Sequence, residues 1–374
     1  MGEQIVFVSM PGAGLAVRSM NESIDVLIID DSAPTRDGLR AILEGAPGIR
    51  VVGAAADPLV ARRLLDRITP DVITLDLLMP RMDGLTFLRK LMAGRPMPVV
   101  VVSTITQEDA ELCLEALQVG AVGVVDKVTI PHPRLMKEFA RELVDHVRAA
   151  ASSRVGLRRG ARRSPVTPIN RPGAGLGEGL PVMIGASTGG TEAIQEILTR
   201  LPDNAPPIVA VQHMPMGFTK SFAARLDEST TLTVREASDG DRLRSGEVLI
   251  APGHGHVEIA GTPRNPRIEI VDAPKVNHHR PSVDVLFHSA ARIFGADSVG
   301  ILLTGMGTDG ADGLQAMASS GAMTIAQDAE SCVVYGMPGA AARLGACKQI
   351  LPLVEIPEAL LIAASGRLAA AGRR

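Results

Sequence analysis

The stretch "VMIGASTGGTEAIQEIL", residues 182–198, reads as a buried strand, a glycine-rich turn and a helix. Its apolar start has no period of two, and the part after the glycines places apolar residues at helical spacing. A strand running through such a turn into a helix belongs to an α/β sheet. Backbone amides at a helix start hold phosphate, and the same turn also exposes a serine as a nucleophile. Spacing argues against nucleotides: "GASTGG" is neither G-x-G-x-x-G nor G-x-x-x-x-G-K-[ST], and no lysine follows the glycines. It does contain G-x-S-x-G, from Gly185 to Gly189 around Ser187. In isolation that serine could equally be a helix cap.

The same alternation continues outward. After 181, "PIVAVQH", "EVLIAPG", "SVGILLTG" and "AMTIAQD" are strand-like, with helices such as "SFAARLDE" and "SVDVLFHSAARIF" between them. Before it, residues 24–147 carry five apolar runs, "IDVLIID", "IRVVGAA", "DVITLD", "MPVVVVST" and "AVGVVDK", separated by helical stretches. The chain therefore reads as two doubly wound α/β domains with mainly parallel sheets. The first is flavodoxin-like and the second Rossmann-like. The expected boundaries are an N-terminal extension at 1–23, a first domain at 24–147, a flexible linker at 148–180 and a second domain at 181–370. The linker "SSRVGLRRGARRSPVTPINRPGAGLGEG" is rich in Gly, Pro, Ser and Arg, without apolar periodicity.

Composition narrows the class. Charged residues make up 21% and apolar residues 46%, a soluble globular balance. With aromatics at 2%, the cores must be aliphatic. A net charge of −3 argues against a dedicated nucleic-acid binder. Cys113, Cys332 and Cys347 form no CxxC pair, which suggests a reducing cytosol. No apolar run reaches membrane-spanning length, so no direct membrane insertion is expected.

In the first domain Asp30 and Asp31 end the first strand and Asp76 ends the third. If those strands are neighbours, three carboxylates converge and need a cation, and hard oxygen ligands suit Mg²⁺. Ser103 and Lys127, at the ends of the fourth and fifth strands, add a hydroxyl and an ammonium. Such a set accepts a phosphoryl group on an aspartate.

In the second domain a serine nucleophile needs a base and the base an orienting acid. His213 follows the strand "PIVAVQ", and Asp309 lies in "LLTGMGTDGADG", again past a strand. His254, His256, His278 and His279 are rivals for the base, and Asp312 and Asp284 for the acid. "HGH" and "HH" also suggest metal, but no carboxylate or cysteine joins them at ligand spacing. The order Ser, His, Asp differs from the Ser, Asp, His of an α/β-hydrolase.

Two resemblances sharpen these readings. "LIIDDSAPTRDGL", "DVITLDLLMPRMDGL", "VVVVST" and "VDK" resemble the receiver domain of two-component response regulators. The resemblance implies phosphorylation of Asp76, Mg²⁺ held with Asp30 and Asp31, Ser103 as switch hydroxyl and Lys127 as phosphoryl contact. Val128 stands where receivers usually carry proline, and Val124 where they usually carry an aromatic. "IGASTGG", "VQHMP", "HRPSVDVLF", "LLTGMGTDGADGL" and "SCVVYGMP" resemble the catalytic domain of chemotaxis protein-glutamate methylesterases. That resemblance implies Ser187 as nucleophile, His213 as base and Asp309 as acid. It also implies oxyanion or substrate contacts at Thr188, Met306, His279 and Arg280.

Together they imply a phosphorylation-regulated hydrolase that removes methyl groups from glutamyl esters on the cytoplasmic helices of chemoreceptors and releases methanol. Glutamine deamidation is the companion reaction of the family. The implied phosphodonor is a sensor histidine kinase, the implied place the cytoplasm beside receptor arrays, and ester hydrolysis itself is expected to need no cofactor. A phosphorylation-gated binding protein with a silent esterase-like domain is the alternative.

Overall fold

In a computed structural model of the chain, residues 23–79, 83–104, 109–128, 132–153 and 179–365 are described. All but the last residue of the N-terminal extension expected at 1–23, and most of the expected linker, lie outside these residues. The elements fall into two compact units, each taken by itself.

The first unit contains β1 (Ile24–Ile29), α1 (Ala33–Glu44), β2 (Ile49–Ala55), α2 (Pro58–Leu65) and β3 (Val72–Leu75). It continues with α3 (Gly84–Gly94), β4 (Val99–Ser103), α4 (Asp109–Val119), β5 (Gly123–Asp126) and α5 (Pro133–Ser152). Strand order is β2-β1-β3-β4-β5, and every pairing is parallel. Helices cover both faces of such a sheet, so its strands read as unbroken apolar runs. Val26 to Ile29 and Val99 to Val102 are buried accordingly.

Local chemistry starts the helices. Ser32, Asp57 and Asp83 cap α1, α2 and α3 by accepting backbone N–H groups, and Pro34 and Pro58 occupy first-turn positions where no donor is needed. Helix α5 runs to Ser152, past the domain boundary placed at 147. The segment "RAAAS" favours helix, and Ala149 and Ala150 are buried, so packing carries the helix into what composition assigned to linker.

The second unit contains β6 (Val182–Ala186), α6 (Gly190–Leu198), β7 (Ile208–Gln212), α7 (Phe218–Ser229), β8 (Thr233–Glu236) and β9 (Glu247–Ile250). Then come β10 (His256–Thr262), β11 (Asn265–Val271), α8 (Val283–Phe294), β12 (Val299–Leu302) and α9 (Ala311–Ser319). Last are β13 (Met323–Gln327), α10 (Met337–Arg343), β14 (Gln349–Leu351) and α11 (Ile356–Ser365). Seven parallel strands run β14-β13-β12-β6-β7-β9-β8, and β10 and β11 form an antiparallel hairpin beside them. Helix α8 packs on that hairpin through a core that includes Val257, Ile259, Ile268, Leu286 and Phe287.

Both sheets reverse direction at a defined place. In the first, the chain leaves β1 for β2 on one side and β3 on the other. In the second, β6 has β7 on one flank and β12 on the other. Such switch points leave a crevice beyond the C-terminal strand ends.

Gly84 shows how tightly the first crevice is built. A Cβ there would lie 2.2 Å from the Asp76 carbonyl oxygen and 2.7 Å from the Leu77 Cα. Both neighbours are backbone and cannot swing aside. Gly84→Ala should therefore displace the end of β3 and cost about 1–3 kcal/mol. Hydrogen exchange of the β3 amides in the full chain measures this, and unchanged protection would contradict it.

Candidate active site

The strand ends of the second unit bring Ser187, His213 and Asp309 together. Register pairs Ala186 of β6 with Gln212 of β7, so Ser187 and His213 are the next residue on each strand. The His213 N–H donates to the Ala186 carbonyl at 3.0 Å, and the Gln212 side-chain amide donates to the Ser187 carbonyl at 2.8 Å. On the other flank Ser187 N–H donates to the Thr304 carbonyl at 3.0 Å. The serine is thus pinned from both neighbouring strands.

The elbow after it depends on missing side chains. Gly189 has φ of 75°, and a Cβ on it would meet Val333 at 2.5 Å. On Gly305 a Cβ would come within 2.7 Å of the Ser187 Cβ. Gly305 donates to the Val334 carbonyl and accepts from Gly336 and Met337. Those bonds fix the peptide that presents the N–H of Met306. Thr188 is buried, and its carbonyl accepts the Thr304 hydroxyl at 2.9 Å.

His213 Nε2 lies 2.8 Å from Asp309 Oδ2. Its Nδ1 is buried and has no hydrogen-bond partner. One ring nitrogen is thus engaged by the acid and the other is left with its hydrogen-bonding capacity unused. Asp309 is 1% exposed, so its charge must be matched locally. Its Oδ2 also accepts the Val283 N–H at 2.7 Å. Oδ1 accepts the Ser282 hydroxyl at 2.7 Å and the Asn277 amide at 3.0 Å. The carboxylate thus sits on the N-terminus of α8, where the helix dipole favours an anion.

Burial alone would raise the Asp309 pKa, but His213, Asn277 and Ser282 hold it well below the usual carboxylate range. A carboxyl held below its unfolded value stabilises the fold above ~4 and loses that contribution as pH falls toward the depressed value.

The rivals separate on the same geometry. His256 is buried; its Nδ1 accepts the Ser282 N–H at 3.1 Å and its Nε2 faces the Pro274 carbonyl at 3.0 Å, so both nitrogens are engaged structurally. His254 and His278 are exposed. His279 stacks on His213, with centroids 3.7 Å apart and planes 8° from parallel. Arg280 is paired with Asp272 at 2.7 Å. Asp312 lies in the first turn of α9 beside Asp284, while His213 turns to Asp309. Among the described residues the histidines gather into no metal-ligand set. Burial pushes the Cys113 thiol up to about 12 and the Cys347 thiol to about 11, away from the reactive thiolate form. Asn277, Ser282 and Asp284 escaped the sequence reading as members of this network, because nothing in their spacing announces a contact with Asp309.

The first unit gathers the other expected set. Lys127 Nζ lies 2.6 Å from Asp76 Oδ2 and 2.7 Å from Asp30 Oδ2. Ser103 Oγ donates to Asp76 Oδ1 at 3.0 Å. Carboxylate oxygens of Asp30, Asp31 and Asp76 all lie within 4.8 Å of one another. Burial pushes the Asp30 pKa up despite Lys127, which marks a carboxylate short of positive charge. The donor set fits a hard divalent cation. Val124, at the position where an aromatic is usual, is buried in β5 beside Val101.

Comparison with known proteins follows the same division. The family described as CheB methylesterase matches residues 182–360, and the response regulator receiver domain matches residues 26–139. A protein-glutamate methylesterase/protein-glutamine glutaminase of Chromohalobacter salexigens is 49% identical, covering 93% of this chain and 98% of its own length. One from Bordetella parapertussis is 48% identical over 91% of this chain and 97% of its own. The solved CheB methylesterase catalytic domain of Thermotoga maritima is 43% identical, covering 49% of this chain and 97% of that one, with a TM-score of 0.48.

Asp309→Asn keeps the size of the acid and removes its charge. It should slow phosphonylation of Ser187 by a fluorophosphonate on the order of 10³-fold. Labelling at the wild-type rate would remove Asp309 from the site.

Proposed function

The chain belongs to the protein-glutamate methylesterase/protein-glutamine glutaminase family, and from that premise we propose that Ser187, His213 and Asp309 carry its hydrolysis. The substrate is a glutamate γ-methyl ester, or a glutamine, on a chemoreceptor. The carrying observation is the 2.8 Å contact between His213 Nε2 and Asp309 Oδ2. It leaves Nδ1 as the base beside a serine fixed one strand away.

Ser187 Oγ attacks the ester carbonyl carbon while His213 Nδ1 takes the hydroxyl proton. Asp309 holds the ring in the tautomer with hydrogen on Nε2 and stabilises the imidazolium that forms. The N–H of Met306 receives the developing oxyanion, with Thr188 at the same turn. As the tetrahedral intermediate collapses, His213 returns its proton to the leaving oxygen and methanol departs. Water, activated by His213, then hydrolyses the glutamyl ester of Ser187 to free glutamate. With a glutamine side chain the leaving group is ammonia and the steps are otherwise the same. His279 and Arg280 border the receptor segment. Stacking of His279 on His213 excludes water from that ring face.

Phosphorylation of the receiver regulates this hydrolase. Asp76 accepts the phosphoryl group from a histidine kinase of the chemoreceptor pathway, and Lys127 and Ser103 contact its oxygens. Asp30, Asp31 and Asp76 would hold Mg²⁺, which when bound neutralises charge on the transferring group. No helix among the described residues is long and apolar enough to cross a membrane. The proposed workplace is the cytoplasmic side of receptor arrays.

Methanol release from methylated receptor membranes tests both halves. Ser187→Ala should reduce release by at least ~10⁴-fold. Acetyl phosphate with Mg²⁺ should raise wild-type release and leave Asp76→Asn at its basal rate. Wild-type release that survives in Ser187→Ala would refute the nucleophile; stimulation that survives in Asp76→Asn would refute the acceptor.

A further inference from the structure

Asp309 has a second buried carboxylate for a neighbour. Asp284, 4% exposed, stands in the first turn of α8. Its Oδ1 accepts the Gly313 N–H at 2.7 Å, at the start of α9. The two acids therefore exchange helices. Asp309, just before α9, accepts from the first N–H of α8, and Asp284, within α8, accepts from the first turn of α9. Gly313 permits this closeness: a Cβ there would meet Phe287 Cβ at 2.7 Å and Asp284 Oδ1 at 3.0 Å.

One amide nitrogen joins the pair. Asn277 Nδ2 donates to Asp284 Oδ2 at 2.6 Å and to Asp309 Oδ1 at 3.0 Å. Asn277 is placed for this by its backbone. It has φ of 49° and His278 of 72°, in a turn closed by paired bonds between Val276 and His279. Asparagine is among the few residues that tolerate that region. The same turn delivers His279 onto the His213 ring.

We propose that Asn277 and Asp284 are positioning residues for the His213–Asp309 pair. Asn277 is the shared donor that lets two carboxylates lie side by side, and Asp284 aims that donor at Asp309. The inference rests on the esterase reading above. Asn277 bonds to Asp309 rather than to His213, and through that bond it fixes which way Asp309 faces. No lysine or arginine among the described residues takes its place. Arg292 lines the same 380 Å³ cavity as Asn277 and Asp284, but it is paired with Glu258 at 2.9 Å. The other ionisable groups facing Asp284 are Asp309, Asp312 and His288, with His256 bound beneath Ser282. Burial and the charges of Asp309 and Asp312 push the Asp284 pKa up to about 6, as expected for like charges held apart by a neutral donor.

The test uses the full chain and methanol release. Asn277→Ala leaves the carboxylates facing each other, turning Asp309 from His213. Its kcat should fall ~10-fold with KM within about threefold, since only the transition state uses the aligned imidazole. Asp284→Asn added to that variant supplies an amide that donates to Asp309 and removes the repulsion. The double variant should regain at least about threefold of the lost kcat. Because Asp284 becomes neutral as pH falls through about 6, the ratio of Asn277→Ala to wild-type rate should rise in that direction. A merely structural role predicts no recovery.

Wild-type kcat in Asn277→Ala, or a deeper loss in the double variant, overturns the proposal. If Asn277→Ala does not fold, Asp284→Asn alone decides, because its single acceptor oxygen cannot serve both the Asn277 amide and the Gly313 N–H. A lowered kcat with KM held supports the clamp, and a wild-type kcat overturns it. Absence of serine-dependent release from the wild type would overturn the esterase reading instead. The far-downfield proton resonance of the His213–Asp309 bond then judges the clamp. Broadening in Asn277→Ala with recovery in the double variant supports it, and an unchanged resonance overturns it.

Discussion

A carboxylate buried to 1% exposure must find its counter-charge in the fold, and Asp309 imposes that demand on most of the second domain. Desolvating such an ion costs several kcal/mol. Among the described residues no lysine or arginine pairs with it; its donors are an imidazole, a hydroxyl, an amide and the first two N–H groups of α8. They come from three segments, the end of β7, the turn at 276–279 and the entry to α8, and these must all be right at once with the loop after β12 that carries Asp309. The expense fits the proposed role: a fixed anion with one direction left for His213 holds the ring in a single tautomer.

The two domains solve opposite electrostatic problems with one architecture. Each places its proposed reacting group at a switch point of a parallel sheet, where strand ends leave a crevice. At Asp76 the incoming group is an anion, and the crevice supplies Lys127, a hydroxyl and carboxylates able to hold a cation. In the hydrolysis proposed for Ser187 negative charge appears only during reaction, and the crevice supplies the imidazole of His213. Strongly charged surroundings suit the first chemistry and would stabilise the ground state in the second. Glycines follow from the same difference. Around Ser187 the backbone itself is the tool, so Gly189 and Gly305 stand where any Cβ would collide.

The long strands were legible because sheets buried on both faces leave unbroken runs such as "PIVAVQ" and "VVVV". Strands β8 and β14 were not. Both are short edge strands, and "TVRE" and "QIL" carry too few apolar residues to stand out. The β10–β11 hairpin did leave a signal, two runs alternating around "TPRN", which a search for parallel strands passes over. Position after a strand was enough to propose His213 and Asp309. It could not assign His256, whose two nitrogens serve the backbone at 274 and 282. Nor could it find Asn277, whose role depends on a left-handed turn and a helix from elsewhere in the chain.

The ring orientation of His213 follows from strand order. Neighbouring strands lie about 4.8 Å apart, so Ser187 on β6 is one spacing from His213 on β7, and the β12 end that leads to Asp309 is two. An imidazole reaching across this sequence meets the near strand with Nδ1, the nitrogen closer to its backbone, and the far one with Nε2. The far half of that pattern is present, with Nε2 on Asp309, while Nδ1 is buried without a hydrogen-bond partner. A serine protease triad assigns the two nitrogens the other way round. The chemistry requires only one nitrogen on the acid and one on the serine. Which nitrogen does which is decided by the order in which the sheet lays down its strands.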